Sequence, residues 1–544
     1  MKNNTPQPTY LKDYQPPYWD FFQVNLLFEL GENTAVTAEY HLRYRDGKIN
    51  KLENFREDLV LYGKDLDLDY LSINEKKLNS SEFKIEDEKL TIPVCTEDLV
   101  LKVKTRISPF DNTQLEGLYQ SGEILCTQCE PEGFRKIIYS PDRPDIMMKY
   151  ITRIEADKEK YPVLLANGNL LEEGDLPGNR HYKTWEDPFR KPSYLCALVA
   201  GNLACYKEQF STRSKKKVAI EIYVDPEDID KCKYAALSLK RAMKWDEDRF
   251  NREYDLDNYK IVAVSSFNHG AMENKGLNIF NSKYVLASVD FAEDTDFMGI
   301  ESVVAHEYFH NWTGNRVTLR DWFHLSLKEG LTVFRDQEFT SDLNSRAVKR
   351  LEDAKYIRDY QFAEDKSPMS HPVRPESYIE MNNFYTITVY YKGAEIIRML
   401  HTILGEELFQ KGMELYFDLY DGKAVIIEDF INCHAQVSGR DFSQFLDWYS
   451  LAGTPALHVQ MDYNETEESC SLSFTQQLPS SPDSAKISSL HIPLKINMVG
   501  SKGHLPLKLE SVAGGQFDQE RNLLELTSKN SSFVFKNIGE LPIP

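Results

Sequence analysis

The chain is short of positive charge, of cysteine and of long apolar runs. Its 64 Lys and Arg stand against 85 Asp and Glu, a formal net charge of −21. Such a surface repels phosphate backbones and argues against nucleic acid as a partner. It mildly favours cationic ligands such as peptide N-termini, although solubility alone accounts for it. No run of eighteen apolar residues occurs, so no membrane-spanning segment is expected. The opening Met1 to Pro6 has no apolar h-region, and no secretory signal is expected. Eight cysteines are scattered over 544 residues, which suits reduced thiols and a cytoplasmic location. Cys126 and Cys129 form a C-x-x-C, but no second pair follows at zinc-ribbon spacing. Internal repeats and low-complexity segments are missing too.

What is present centres on Val304-Ala305-His306-Glu307-Tyr308-Phe309-His310. Two histidines four apart share one helix face, one turn apart. With Glu307 between them they form H-E-x-x-H, two metal ligands and a carboxylate base. Asp294, Thr295 and Asp296 offer N-cap oxygens before the run from Phe297, and Gly314 is a plausible stop. Alone, the pattern also fits a buried helix that happens to carry two histidines. A catalytic zinc needs a third protein ligand and an open fourth place. Glu329 follows His310 after eighteen residues, in a second helical segment from Leu325 to Phe334, and can complete a His, His, Glu set. Asp336, seven residues further on, is a candidate partner to one ligand.

The rest of the chain divides by pattern into about three units. Residues 1–202 show short alternating segments, among them Phe21 to Leu30, Thr37 to Tyr44, Leu59 to Tyr62, Leu90 to Val94 and Leu99 to Val103, with turns at Gly31-Glu32-Asn33 and Asp46-Gly47. Residues 203–453 hold a strand at Val218 to Val224, a helix at Tyr234 to Phe250 and a buried strand at Tyr259 to Val264. Helical segments follow at Ala347 to Tyr360, Val389 to Leu404 and Phe409 to Tyr420. Residues 454–544 return to short strands between Pro, Gly, Asn and Ser turns, as in a β-sandwich. The expected fold class is therefore multidomain α+β.

H-E-x-x-H, eighteen residues, then Glu, together with Gly270-Ala271-Met272-Glu273-Asn274, resembles the M1 (gluzincin) zinc aminopeptidases. Thr127-Gln128-Cys129-Glu130, Asn311 to Arg316 and Asn382-Asn383-Phe384-Tyr385-Thr386 extend the resemblance to the bacterial aminopeptidase N branch, over essentially the whole chain. The resemblance implies an N-terminal β saddle-like domain, a thermolysin-like α/β catalytic domain and a C-terminal β-sandwich. It also implies that the large C-terminal helical domain of full-length relatives, which caps their cavity, is lacking here. One Zn2+ is expected on His306, His310 and Glu329.

By the same resemblance, Glu307 is the general base and Tyr390 the oxyanion stabiliser. Lys392-Gly393-Ala394-Glu395 anchors that tyrosine, although Tyr391 beside it leaves room for a one-residue misalignment. Gln128, Glu130, Glu273 and Tyr385 are expected to bind substrate, with Gly270, Ala271, Met272 and Asn274 along the substrate main chain. His269 stands where close relatives usually carry Met, so either the first-residue preference is altered or the ring turns away. The implied activity is release of N-terminal residues, of the alanyl aminopeptidase type. Peptides with a free N-terminus are the expected substrates, and a monomer is the expected state. The alternative is a folded, weakly active fragment that only binds peptides. An endopeptidase or an epoxide-hydrolysing relative is disfavoured by Glu130, Glu273 and Ala271.

Overall fold

The computed structural model describes residues 7–45, 57–94, 96–480 and 487–544. The turn expected at Asp46-Gly47 and the opening Met1 to Pro6 lie outside them. The architecture is multidomain α+β. An eight-stranded sheet comes first, with strands Trp19–Glu29, Thr34–Tyr44 and Met148–Asp157 near its middle. Alternation makes these strands: in Thr34–Tyr44, Val36, Ala38, Tyr40 and Leu42 face one core and polar residues face out. A four-stranded sheet packs on it and includes Ile124–Gln128, whose every residue is buried. The end of that strand carries Gln128, and the turn after it carries Glu130.

A five-stranded mixed sheet follows, in the order Ala204–Ser211, Lys217–Val224, Asn258–Val264, Leu277–Asn281 and Ala271–Met272. Ala271–Met272 is its edge and, among the described residues, pairs only with Leu277–Asn281. Among the described residues the helices are α1 (Lys233–Phe250), α2 (Asp294–Phe309), α3 (Leu325–Leu343), α4 (Arg346–Tyr356), α5 (Phe362–Asp365), α6 (Gly393–Leu404), α7 (Glu406–Tyr420), α8 (Ile427–Ser438) and α9 (Asp447–Ser450). Helices α1 and α2 lie against this sheet, and the others pack in turn on them and on one another. One apolar core joins sheet and helices, from Ile222 and Ile261 through Val304 and Leu331 to Leu400 and Phe430. The C-terminal sheets of four and three strands share a separate core of Leu472, Phe474, Leu526, Phe533 and Phe535.

Three local details depart from the sequence expectation. The N-cap of α2 is Glu293, whose N–H donates to Asp296 Oδ2 at 2.9 Å. The reciprocal capping geometry needs a carboxylate at the third helical position, and Asp296 fills it. At the other end α2 stops at Phe309, and His310 is its C-cap. Gly314 is needed for another reason: its φ is +145°, and a Cβ there would lie 3.0 Å from His310 Nδ1. Similarly, the helix expected over Val389 to Leu404 begins as a π-helical turn at Thr388–Lys392 and becomes α6 only at Gly393.

Candidate active site

Helices α2 and α3 run antiparallel, with His306 beside Asp336 and His310 beside Thr332. His306 Nδ1 lies 2.8 Å from Asp336 Oδ2, and His310 Nδ1 lies 2.9 Å from the Thr313 carbonyl. Both acceptors hold the ring proton on Nδ1, which leaves each Nε2 lone pair free. The two Nε2 atoms are 3.0 Å apart. Glu329 Oε2 sits 3.4 Å from one and 3.3 Å from the other, and no hydrogen-bond donor among the described residues reaches it. Three electron-pair donors thus converge, His310 and Glu329 buried and His306 partly so, with nothing donating between them. A cation resolves that arrangement, and two imidazoles with one carboxylate fit zinc.

Glu307 is buried, and its Oε2 has no partner among the described residues. Burial pushes its carboxyl well above the ordinary range, while His306 beside it pulls the other way. Tyr390 and Tyr391 leave the π-helical turn towards different neighbours. The Tyr390 phenol is raised by burial and by the nearby Glu329 carboxylate. Tyr391 is raised by burial and by Asp336, and its ring lies tilted against that of Tyr356, 4.5 Å away. Tyr390 is therefore the tyrosine on the Glu329 side.

A residue that the sequence pattern does not single out sits at the centre. Lys328 Nζ lies 2.6 Å from each of Glu130 Oε1, Glu273 Oε1 and Glu329 Oε1. Glu130, Glu273 and Glu329 would otherwise form a second metal-like cluster, but an ammonium already fills it. Three carboxylates to one ammonium leave surplus negative charge. Burial and the neighbouring Glu273 push Glu130 up to about 8, so a further cation would be welcome there. Glu329 has one oxygen in each place and joins the two. The available signal was the number of buried carboxylates, which demands a counter-ion.

A cavity of about 390 Å³ connects these groups. His306, Glu307, His310, Glu329, Gln128, Glu130, Gly270, Ala271, Met272, Glu273, Tyr385 and Tyr390 all line it. His269 lines it too, with its ring 5.6 Å from that of Tyr385, and burial lowers its pKa. Asn274 does not line it. It is fully buried behind Glu273, and its side-chain oxygen and nitrogen have no partner among the described residues.

A His pair on one helix, a glutamate from the next and a carboxylate between the histidines define the class of metallopeptidase whose third ligand is glutamate. Comparison with known proteins agrees. The Peptidase family M1 domain matches residues 234–449, and the Peptidase M1 N-terminal domain matches residues 46–195. A domain of unknown function with an Ig-like fold matches residues 453–544. Aminopeptidase N of Escherichia coli (strain K12) is 51% identical over 99% of this chain and 60% of its own length. Aminopeptidase N of Haemophilus influenzae is 50% identical over 98% of this chain and 60% of its own. The crystal structure of Legionella pneumophila aminopeptidase A in complex with aspartic acid superposes with a TM-score of 0.88. It is 32% identical and is matched over 98% of this chain and 59% of that one. The chain belongs to the M1 peptidase family. It spans about 60% of the length of the curated relatives named here.

Proposed function

We propose that this protein is a zinc aminopeptidase that releases single residues from the free N-terminus of peptides. The observation that carries this reading is Glu329, which faces the metal pocket with one oxygen and the carboxylate socket with the other. An amine held in the socket puts the first peptide carbonyl beside the metal ligands. An internal peptide bond has no ammonium to offer there. His306, His310 and Glu329 would hold the ion. When bound, zinc supplies Lewis acidity and makes water acidic enough to attack at neutral pH.

The remaining steps belong to the chain. Glu130 and Glu273 bind the α-ammonium. The free edge of Ala271–Met272 accepts the substrate main chain as an added strand. Glu307, its Oε2 unpaired and its basicity raised by burial, takes the proton from water and hands it to the leaving amine. Tyr390, kept protonated by its burial, donates a hydrogen bond to the oxygen on which negative charge develops.

Among the described residues no helix is long and apolar enough to cross a membrane. Cys126 and Cys129 are buried free thiols, and burial pushes Cys126 up to about 12. Such thiols suit a reducing cytoplasm, and we place the protein there as a monomer.

The test is hydrolysis of alanyl- and N-acetyl-alanyl-nitroanilide, with and without a zinc chelator. Cleavage of the free amine alone, abolished by chelation, is expected. Cleavage of the acetylated reporter removes the amine-socket reading. One bound zinc per chain without cleavage leaves a peptide-binding protein.

A further inference from the structure

The cavity does not end at the metal ligands. Because α2 and α3 are antiparallel, it continues along their groove away from Glu130 and Glu273. Its far wall carries Val303 from α2, Gln337 from α3, Lys349 from α4 and Tyr391 from the π-helical turn. If the amine sits in the socket, the peptide beyond the scissile bond has to leave along this wall. The role of the wall thus rests on the aminopeptidase reading.

Lys349 and Tyr391 give the wall a definite chemistry. Lys349 Nζ pairs with Asp353 Oδ1 on its own helix at 2.5 Å. An ammonium has three donors, so two remain. The acidic groups on this side are already engaged: Asp336 with His306, and Asp353 with Lys349 itself. Lys328, by contrast, is closed in by three carboxylates. The Tyr391 ring, braced by Tyr356, adds a flat apolar face to the same wall. A cation and an aromatic face on one wall match a terminal residue that carries a carboxylate and an apolar side chain.

We propose that Lys349 binds the free α-carboxylate of a short peptide, with Tyr391 against the side chain that follows the scissile bond. Dipeptides with an aromatic or aliphatic second residue are then the favoured substrate class. A cavity of about 390 Å³ is of a size to hold such a ligand.

Calorimetry on the zinc-loaded Glu307→Gln protein, which does not turn over, tests this with alanyl-phenylalanine and its C-terminal amide. The free acid is expected to bind about tenfold more tightly than the amide, the range of one charge-assisted contact. Lys349→Met should bring the ratio to about one, and Lys349→Arg should keep most of it. Equal binding of acid and amide by the parent overturns the assignment, and so does a ratio that Lys349→Met leaves unchanged. An N-acetylated dipeptide acid that binds as tightly as the free amine counts against the amine socket instead. In that event the acid-to-amide ratio still decides the role of Lys349.

Discussion

Glu329 and its neighbour Lys328 show how the site is tuned residue by residue. Lys328 neutralises part of three carboxylates, and Asp336 and the Thr313 carbonyl fix the imidazole protons. Removing the Asp336 charge frees His306 to rotate or to change tautomer. Asp336→Asn is expected to weaken zinc affinity by about 10- to 100-fold, measured by competition with a chromophoric chelator. Tyr390→Phe should lower kcat about a hundredfold or more with little change in KM, because its hydrogen bond is made as charge develops. Tyr391→Phe should leave kcat for alanyl-nitroanilide within a few-fold, since that ring faces Tyr356 and Asp336. A reversal of the two would mean the tyrosines are misassigned by one position. His269 presents a neutral ring to the same cavity. Reporters bearing Ala, Leu or Arg should change their relative rates in His269→Met, and constant ratios would show that the ring takes no part. H-E-x-x-H was legible because the helix period alone puts two imidazoles on one face. Lys328 was not, because a lysine on a helix normally belongs to solvent, and only the fold surrounds this one with carboxylates.

Elements aim these residues through close backbone contact. At Gly330, next to Glu329, a Cβ would lie 2.9 Å from the Gly393 carbonyl carbon. At Gly393 a Cβ would collide with Ser326 Oγ and lie 3.2 Å from Gly330 Cα. Helices α3 and α6 therefore touch backbone to backbone, one residue from a ligand and three from Tyr390. Ser326 Oγ donates to the Val389 carbonyl at 2.8 Å and helps to hold the π-helical turn. Gly393→Ala must push α6 off α3. It is expected to cost roughly 1–3 kcal/mol of stability and to lower kcat far more than zinc content. Loss of zinc in step with activity would show that α3 had moved instead. A second element, α8, carries His434 between the rings of Phe409 and Phe430, 5.0 and 4.5 Å away. Burial lowers its pKa to about 4. A histidine depressed in the fold binds its proton more readily when unfolded, so its contribution is complete above about pH 6.5 and is lost as pH falls towards 4. The loss should reach roughly 2–3 kcal/mol. Melting temperatures should fall more steeply between pH 6.5 and 4 for the parent than for His434→Leu, and parallel curves would remove His434 as the cause. The helix periods made α1 readable to within one residue and fixed the C-terminal end of α7, whose first three residues were missed. The π-helical turn was not readable, because a bond that helps to hold it comes from 63 residues away in sequence.

Across the whole molecule, the proposed socket is assembled from two units. Glu130 comes from the first β-rich unit, whereas Glu273, Lys328 and Glu329 come with the mixed sheet and helices. Their spacing therefore depends on the seam between the units. The order of sheets, helices and sandwich was legible because hydrophobic period changes along the chain. The polar strand Arg180–Lys191 was not, since its partners and not its pattern make it a strand. The seam was not legible either, because its bonds run from side chain to distant backbone. Asn167 is the clearest of them. Its Nδ2 donates to the Leu195 and Lys275 carbonyls at 2.9 Å each, and its Oδ1 accepts from Ala197 N–H at 2.8 Å. Lys275 is two residues past Glu273, so Asn167 ties the first unit to the backbone that carries the socket. Asn167→Ala would strand two carbonyls and one N–H in a buried seam, at about 1–3 kcal/mol for each group left unpaired. If the seam sets the distance from Glu130 to Glu273, KM for alanyl-nitroanilide should rise several-fold while zinc content stays at the parent value. The proposed metal ligands all come from the second unit, on α2 and α3 or at their ends. A melting temperature that drops while KM stays fixed would show that the seam only stabilises. The spacing of the socket would then have to come from Lys328, which pulls all three carboxylates onto one ammonium.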